Sequence, residues 1–198
     1  MKEKIIKYWK DFYSNVKITT EQSPFADYVL QFVNKHAIKG RLIDIGCGNG
    51  RDSSFFFSNG LDTTGIDIAS KPDFINFNFI NCDLLDYDYK SFKIIYLRFL
   101  VHTLNECEFL ALLKKIEKVR GAYIFIETRS SKGVTDQDRS VTFFKSSVGD
   151  RHFRMLYSKK YFDELLSSFN IIESSEDKYS KFGSDDPFCL RYVMKNNQ

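Results

Sequence analysis

Residues 41–50 read Arg41-Leu42-Ile43-Asp44-Ile45-Gly46-Cys47-Gly48-Asn49-Gly50. The first six form a short apolar run that ends on glycine, as a buried strand does. Residues 52–59 then show helical character and stop at Asn59-Gly60. Glycines at alternate positions between a strand and a helix let the backbone approach a ligand closely, because glycine has no side chain in the way. We therefore predict a strand, a ligand-binding loop and a helix.

The alternation of strands and helices continues on both sides of this loop. Apolar runs predict further strands at 62–67, 74–82, 92–97, 122–128, 171–172 and 188–194. Helical spacing predicts helices at 2–14, from Ser23-Pro24 to a cap at Lys39-Gly40, at 105–119 and at 158–169. Such alternation implies a mostly parallel sheet with helices on both faces. We predict an α/β, Rossmann-like fold with a seven-stranded sheet.

The chain reads as one domain over residues 1–198, because no linker, repeat or low-complexity tract divides it. We expect a helical lid at 1–40, a cofactor-binding core at 41–128, and a substrate-side segment with the closing strands at 129–198. The face with Trp9 and Tyr13 in the first helix is more typical of core packing than of a lid. Residues 129–151 show no periodicity, which indicates a functional or mobile segment.

The net charge and the spacing of the cysteines argue against several classes of function. The net charge of +3 is too mild for the strongly basic face of a nucleic-acid-binding protein. The four cysteines form no C-x-x-C pair and no zinc-ligand spacing. No apolar run approaches the ~18 residues of a membrane span, and the amino terminus does not resemble a signal peptide. We expect a cytoplasmic monomer or homodimer with no metal and with neither nucleic acid nor a membrane as its partner.

The candidate site residues lie at the carboxyl ends of the predicted strands. Ligands bind beyond the carboxyl ends of the strands in open parallel sheets. The residues that end the predicted strands are therefore expected on one rim: Gly46, Asp67, Asp83, Arg98, and Glu127 or Thr128.

A dinucleotide-binding loop is the rival interpretation of the glycines. Its fingerprint is G-x-G-x-x-G, followed by an acidic residue about 20 positions on. Arg51 occupies the place of the third glycine, so the fingerprint fails. Asp44, two residues before the first glycine, is also not part of that fingerprint.

The stretch from Asp44 to Gly50 resembles motif I of the class I S-adenosylmethionine-dependent methyltransferases. The resemblance implies S-adenosylmethionine (SAM) as cofactor and S-adenosylhomocysteine (SAH) as product. It implies that Asp67 holds both ribose hydroxyls, since a bidentate carboxylate suits two neighbouring hydroxyls, and that Asp83 receives the adenine amino group. A lone aspartate after a strand is more often a turn or helix cap, but three at matching strand ends favour the cofactor. The residues assigned to the cofactor are Asp44, Gly46, Cys47, Gly48, Asn49, Gly50, Asp52, Asp67, Ile68, Asp83, Leu84 and Arg98.

The segment after the fourth core strand lacks the Asn/Asp-Pro-Pro-aromatic motif of enzymes that methylate nucleic-acid bases. Arg98-Phe99-Leu100-Val101-His102 instead resembles the R-F-x-x-H pattern of small bacterial methyltransferases from capsule and lipopolysaccharide gene clusters. Some members of that group act in making O-methyl phosphoramidate capsule decorations. Further matches are Trp9 to Tyr13, Ser23-Pro24-Phe25-Ala26, Glu127-Thr128-Arg129, His152-Phe153-Arg154, and Asp186-Pro187 before Arg191.

This resemblance and the residue chemistry together predict a small anionic acceptor bearing phosphate or phosphoramidate, used in surface glycan biosynthesis. An imidazole suits general-base work near neutral pH, so His102 and His152 are the candidate bases, with Glu127 third. Guanidinium groups pair bidentately with phosphate or carboxylate. The residues assigned to the substrate are Arg98, His102, Arg129, His152, Arg154, Arg191 and Tyr13.

Each of these residues has a structural alternative. His102 could cap the helix that follows it, the loop arginines could be solvated charges, and Arg98 could form a structural salt bridge. The function has alternatives as well. The chain could be an RNA or protein methyltransferase, or a non-catalytic partner subunit that retains the fold.

Overall fold

The computed structural model describes residues 2–15, 20–68, 76–134, 139–145, 151–179 and 187–196. The helices in these ranges are α1 (Lys2–Asn15), α2 (Pro24–Lys35), α3 (Arg51–Ser58), α4 (Glu106–Ile116), α5 (Lys159–Leu165) and one 3₁₀ turn at Val101–Thr103. The strands are β1 (Arg41–Ile45), β2 (Thr63–Asp67), β3 (Asn78–Asn81), β4 (Phe92–Arg98), β5 (Tyr123–Arg129), β6 (Arg139–Lys145), β7 (Arg151–Tyr157), β8 (Asn170–Asp177) and β9 (Cys189–Lys195).

Seven of the strands form one sheet in the order β3-β2-β1-β4-β5-β9-β8. The first five of that order pair in parallel, and β9 runs antiparallel between β5 and β8. One face is covered by α2 and α3, where Phe25 and Phe56 are fully buried. The other is covered by α4 and α5, where Phe109 and Phe162 are fully buried. The predicted seven-stranded, mostly parallel sheet with helices on both faces is confirmed.

Helix α2 begins where the sequence predicts, but it ends earlier. The Ser23 side chain caps it by accepting a hydrogen bond from the Ala26 N–H at 3.1 Å. The helix stops at Lys35, and the left-handed backbone of Ala37, with φ 49°, reverses the chain. Gly40 is therefore not the C-cap. It precedes β1 with φ 127°, where an added Cβ would lie 2.6 Å from the Cβ of Lys93.

The segment at 129–151 is not wholly irregular, so that prediction is corrected. Strands β6 and β7 pair as an antiparallel two-stranded sheet outside the main one. Strand β7 buries Arg154, Met155, Leu156 and Tyr157 in succession, so it lacks the alternation of buried and exposed positions that marks a strand in a sequence. Other boundaries shift by a few residues: α5 is shorter than 158–169, and β8 is longer than 171–172. Residues 74–75 of the predicted third strand, and Asp186, lie outside the described residues.

Helix α1 lies across the carboxyl edge of the sheet and contacts β7. The ring of Tyr8 stacks on that of His152, with centroids 4.5 Å apart and planes at 20°. The Trp9 ring meets His152 edge-on at 5.9 Å. Helix α1 therefore lies over the strand ends, and its role as a lid stays a prediction. None of the helices in the described ranges is long and apolar enough to cross a membrane.

Candidate active site

An open cavity of about 120 Å³ lies at the carboxyl ends of β1, β2 and β3. The strand ends and α1 supply opposite walls, and the turn after β4 closes one end. The residues that decide its chemistry are Tyr13, Gly46, Asp67, Ile68, Asp83 and Phe99.

The glycine loop approaches this cavity through a left-handed backbone. Gly46, Gly48 and Gly50 have φ of 73°, 57° and 76°, conformations that glycine adopts without steric cost. The Gly48 N–H donates to Asp67 Oδ2 at 2.9 Å, so the end of β2 fixes the loop. The hydroxyl of Tyr13 lies against Gly48, where an added Cβ would be only 2.2 Å from Tyr13 Oη.

Gly48→Ala is expected to weaken SAH binding by about tenfold or more, because the new methyl group would displace Tyr13 or the loop. Gly60→Ala is the matched control, since Gly60 also has a left-handed φ (85°) but an added Cβ there meets nothing within 4 Å. Both variants should lose about 1 kcal/mol of unfolding free energy for the backbone conformation. Calorimetric titration with SAH should separate them. Equal affinities would show that the Tyr13 contact does not matter for the cofactor.

The aspartates predicted for the cofactor differ in whether they line the cavity or lie buried beneath the glycine loop. Asp67 and Asp83 line the cavity, and Asp83 Oδ1 also accepts from the Leu85 N–H at 2.9 Å. Asp44 lies beneath the loop, 3% exposed, and accepts from Ser53 Oγ at 2.6 Å. Burial raises the pKa of Asp44 to about 8, against the lowering effect of the Ser53 hydrogen bond. Asp67 and Asp83 are therefore the carboxylates that face the cavity.

Asp52, also predicted for the cofactor, is not among the residues that line the cavity. Its Oδ1 accepts from the Ser23 N–H at 2.7 Å, and its Oδ2 accepts from Ser23 Oγ and Tyr96 Oη, each at 2.8 Å. These three bonds join the start of α2 to α3 and β4. The same Oδ2 lies 3.9 Å from Arg98 Nε. The surroundings of Asp52 are those of a structural carboxylate.

Glu127, at the end of β5, joins two arginines. Its Oε1 accepts from Arg98 Nε at 3.0 Å, and its Oε2 accepts from Arg191 Nε at 2.6 Å. The carboxylate is fully buried, and Arg98, Glu127 and Arg191 are neighbours across β4, β5 and β9. Arg98 therefore forms the salt bridge that the sequence leaves open as an alternative. With both oxygens in ion pairs, Glu127 is poorly placed to accept a proton.

The remaining predicted acceptor residues surround two histidines. His102 is 1% exposed, and its Nδ1 lies 3.0 Å from Thr128 Oγ1. On β7, Arg154 places its guanidinium carbon 5.4 Å from the centre of the Trp9 ring. Burial lowers the pKa of His102 well below its ordinary value, and positive charge on Arg154 and Arg129 lowers it further. These arginines and histidines therefore form one electropositive group beside the cavity.

Both histidines are neutral in the folded protein near pH 7. Burial, followed by Arg154 and Arg129, lowers the pKa of His152 to about 3. The Arg129 N–H donates to His102 Nδ1 at 3.4 Å, which makes Nδ1 an acceptor and leaves the proton on Nε2. A histidine with a pKa near 3 is a weak base. The structure thus offers two neutral imidazoles where the sequence predicts candidate general bases.

Stability should fall in mild acid because of these histidines. Their folded pKa values lie below the unfolded value of about 6.5, so as pH falls through 6.5 the unfolded chain takes up protons that the folded chain does not. Each histidine then removes up to about 1.4 kcal/mol of unfolding free energy per pH unit. Asp44 acts in the opposite sense, because its pKa is raised. Urea unfolding between pH 7 and 4.5 should therefore show a smaller loss for His152→Gln than for the native chain, and parallel curves would contradict this.

Two residues of the site are ones that the sequence assigns to neither the cofactor nor the substrate. Phe99 lines the cavity with a left-handed backbone, φ 53°, which is uncommon for a bulky residue. Thr128 holds His102 through both the backbone N–H and Nδ1. Within the described ranges, no group of three or more His, Cys, Asp or Glu residues could hold a metal ion.

The sequence matches a known protein family over most of its length. A family model described as "Methyltransferase domain" matches residues 19–171. No curated protein matches the sequence.

Solved structures share the fold over nearly the whole chain. The 1,6-didemethyltoxoflavin-N1-methyltransferase of Burkholderia thailandensis, with bound 1,6-didemethyltoxoflavin and SAH, superposes with a TM-score of 0.73 at 14% identity, covering 98% of this chain and 87% of that one. A SAM-dependent methyltransferase of Methanosarcina mazei gives 0.69 at 14% identity, with 88% and 98% covered. One from Clostridium acetobutylicum gives 0.65 at 12% identity, with 100% and 99% covered. At these identities the likeness establishes the fold.

Proposed function

The chain belongs to the family of methyltransferase domains, and we propose that it transfers a methyl group from SAM to a small anionic metabolite. The observation that carries this proposal is the cavity in which the glycine loop, Asp67 and Asp83 meet under α1. Arg98 and Arg129 lie beside the ring of Phe99, which lines that cavity.

The residues present fit SAM. The left-handed glycines contribute no side chain of their own between the loop and the cavity. Asp67 would hold the two ribose hydroxyls and Asp83 the adenine amino group, while Ile68 and Leu84 supply apolar walls. When bound, SAM supplies a methyl group on a sulfonium, and its transfer requires alignment with the acceptor and exclusion of water. Tyr13 and Trp9 of α1 would provide that exclusion.

The arginine group supports an anionic acceptor. Arg98 places its guanidinium carbon 4.5 Å from the centre of the Phe99 ring, and that of Arg129 lies 5.9 Å away. Phe99 lines the cavity, so the cationic groups lie where the acceptor would enter. Guanidinium groups bind phosphate and carboxylate bidentately. A small acceptor agrees with the Burkholderia enzyme, whose structure contains 1,6-didemethyltoxoflavin beside SAH.

The protonation of the site favours an acceptor atom that needs no base. Burial lowers the pKa of both His102 and His152, and Glu127 is held by two arginines. An anionic phosphoryl or carboxylate oxygen already carries the electron pair for attack on the methyl carbon. His102 and His152 would then orient the acceptor as hydrogen-bonding groups. The segment from Arg98 through His102 resembles that of capsule-cluster enzymes. We therefore propose, as the first acceptor to test, a glycan precursor that bears phosphate or phosphoramidate and is used in the cytoplasm.

Incubation of the protein with methyl-labelled SAM and a panel of sugar phosphates, nucleotide sugars, carboxylates and their neutral parent compounds would test this proposal. Methylation of an anionic oxygen removes one negative charge, so labelled products should elute earlier from an anion-exchange column than their substrates. Label should enter anionic compounds only. Label in the neutral compounds alone would refute the anionic acceptor and retain the methyltransferase activity.

A further inference from the structure

We infer that Glu127 is a positioning residue, which holds Arg98 and Phe99 in the geometry needed to bind the anionic group of the acceptor. This inference rests on the proposed function, because it concerns the acceptor site described there. It replaces the proton-accepting role that the sequence suggests for this glutamate.

Glu127 contacts the segment after β4 through both its side chain and its backbone. Oε1 accepts from Arg98 Nε at 3.0 Å, and the Glu127 carbonyl oxygen accepts from the Phe99 N–H at 2.8 Å. The adjacent Thr128 accepts from the His102 N–H at 3.2 Å. Two consecutive residues of β5 thus fix both ends of the segment from Arg98 to His102.

The backbone of Phe99 shows why such fixation is needed. A left-handed conformation costs a non-glycine residue about 1–2 kcal/mol and persists only where its surroundings over-determine it. Here it directs the ring into the cavity wall, with the Arg98 guanidinium above it and the His102 ring edge-on at 5.5 Å. Without Glu127, the Phe99 N–H would keep its partner but Arg98 would lose its anchor above the ring.

The described ion pairs hold Arg98 from two sides. Arg51 and Arg98 lie 3.9 Å from Asp52, and Arg98 and Arg191 pair with Glu127. The contact of Arg98 with Glu127, at 3.0 Å, is the shorter of its two ion pairs and is also a hydrogen bond. Glu127 is therefore the carboxylate that fixes the Arg98 guanidinium most closely.

Glu127→Gln distinguishes a positioning role from a purely electrostatic one, because the two roles predict opposite changes in the affinity for an anion. Removal of a negative charge beside Arg98 should strengthen anion binding if only the charge matters. Loss of the position of Arg98 should weaken it by about tenfold or more, the loss expected for one misplaced charge-assisted contact. A base role for Glu127 predicts no weakening of binding.

The measurement is calorimetric titration of inorganic phosphate into the SAH-loaded protein at constant ionic strength. Glu173→Gln is the matched control, because it makes the same charge change at a glutamate that bonds Tyr28 on the surface. We expect weaker phosphate binding for Glu127→Gln, unchanged binding for Glu173→Gln, and SAH affinity within about threefold for both. Glu127→Asp, which keeps the charge but is too short to span both arginines, should also weaken phosphate binding, and it serves if Glu127→Gln does not fold.

Two outcomes would overturn the inference, and they differ in what else they affect. Equal or tighter phosphate binding by Glu127→Gln would refute positioning and leave the anion site in place. Absence of phosphate binding by the native, SAH-loaded protein would refute both the inference and the anionic acceptor.

Discussion

Asp67→Ala is expected to weaken SAH binding about a hundredfold or more. In the proposed site the ribose would lose two charge-assisted hydrogen bonds to Asp67, each worth about 1.5–3 kcal/mol, and about 3 kcal/mol corresponds to two decades in the dissociation constant. The substitution also removes Asp67 Oδ2, which accepts from the Gly48 N–H at 2.9 Å. The glycine loop would then lose its anchor at the end of β2, which adds to the effect.

Calorimetric titration with SAH measures this loss directly. Asp88→Ala is the control, because Asp88 is an exposed carboxylate that only pairs with Lys90 on the surface. Asp67→Asn should give an intermediate affinity, since its amide oxygen can still accept from Gly48. An Asp67→Ala protein that binds SAH as tightly as the native chain would remove Asp67 from the cofactor site.

Arg98→Ala is expected to retain SAH affinity and to abolish methyl transfer to an anionic acceptor. Loss of a guanidinium from a buried, hydrogen-bonded charge pair costs about 2–5 kcal/mol of ligand binding, a fall of about 1.5 to 3.5 decades in kcat/KM. Glu127 would still have Arg191 at 2.6 Å, so the glutamate is not left alone in the interior. The fold should therefore survive with reduced stability.

The comparison uses an acceptor identified from the labelled-SAM panel, together with SAH titration. Arg41→Ala is the control, because Arg41 pairs with Asp62 at 3.1 Å at the opposite end of β1. If Arg98→Ala lost SAH affinity and methyl transfer equally, Arg98 would belong to the cofactor site and the anion-binding assignment would fail.

The parts of the fold that the sequence predicts are those with local causes. Glycine at 46, 48 and 50 is required by backbone conformations that those residues adopt in place. Ser23 followed by Pro24 caps a helix through atoms of the same turn. The parallel sheet then brings Asp67 and Asp83 to one cavity, as the strand-end rule requires.

The parts that the sequence does not predict depend on distant partners. Glu127 accepts hydrogen bonds from arginines 29 and 64 residues away, and no pattern near Glu127 distinguishes these ion pairs from a catalytic carboxylate. Asp52 likewise contacts Ser23 and Tyr96, 29 and 44 residues away. The left-handed conformation of Phe99 follows from contacts that only the folded sheet creates, since the residue type itself disfavours it.

The most direct test of the central claim is a calorimetric titration of the native chain with SAH, with NAD as the comparison ligand. The cavity under α1 predicts one SAH site per chain with a dissociation constant in the range of about 1–100 μM, competed by SAM, and no binding of NAD. Binding of NAD without SAH, or no heat from either ligand, would contradict the account.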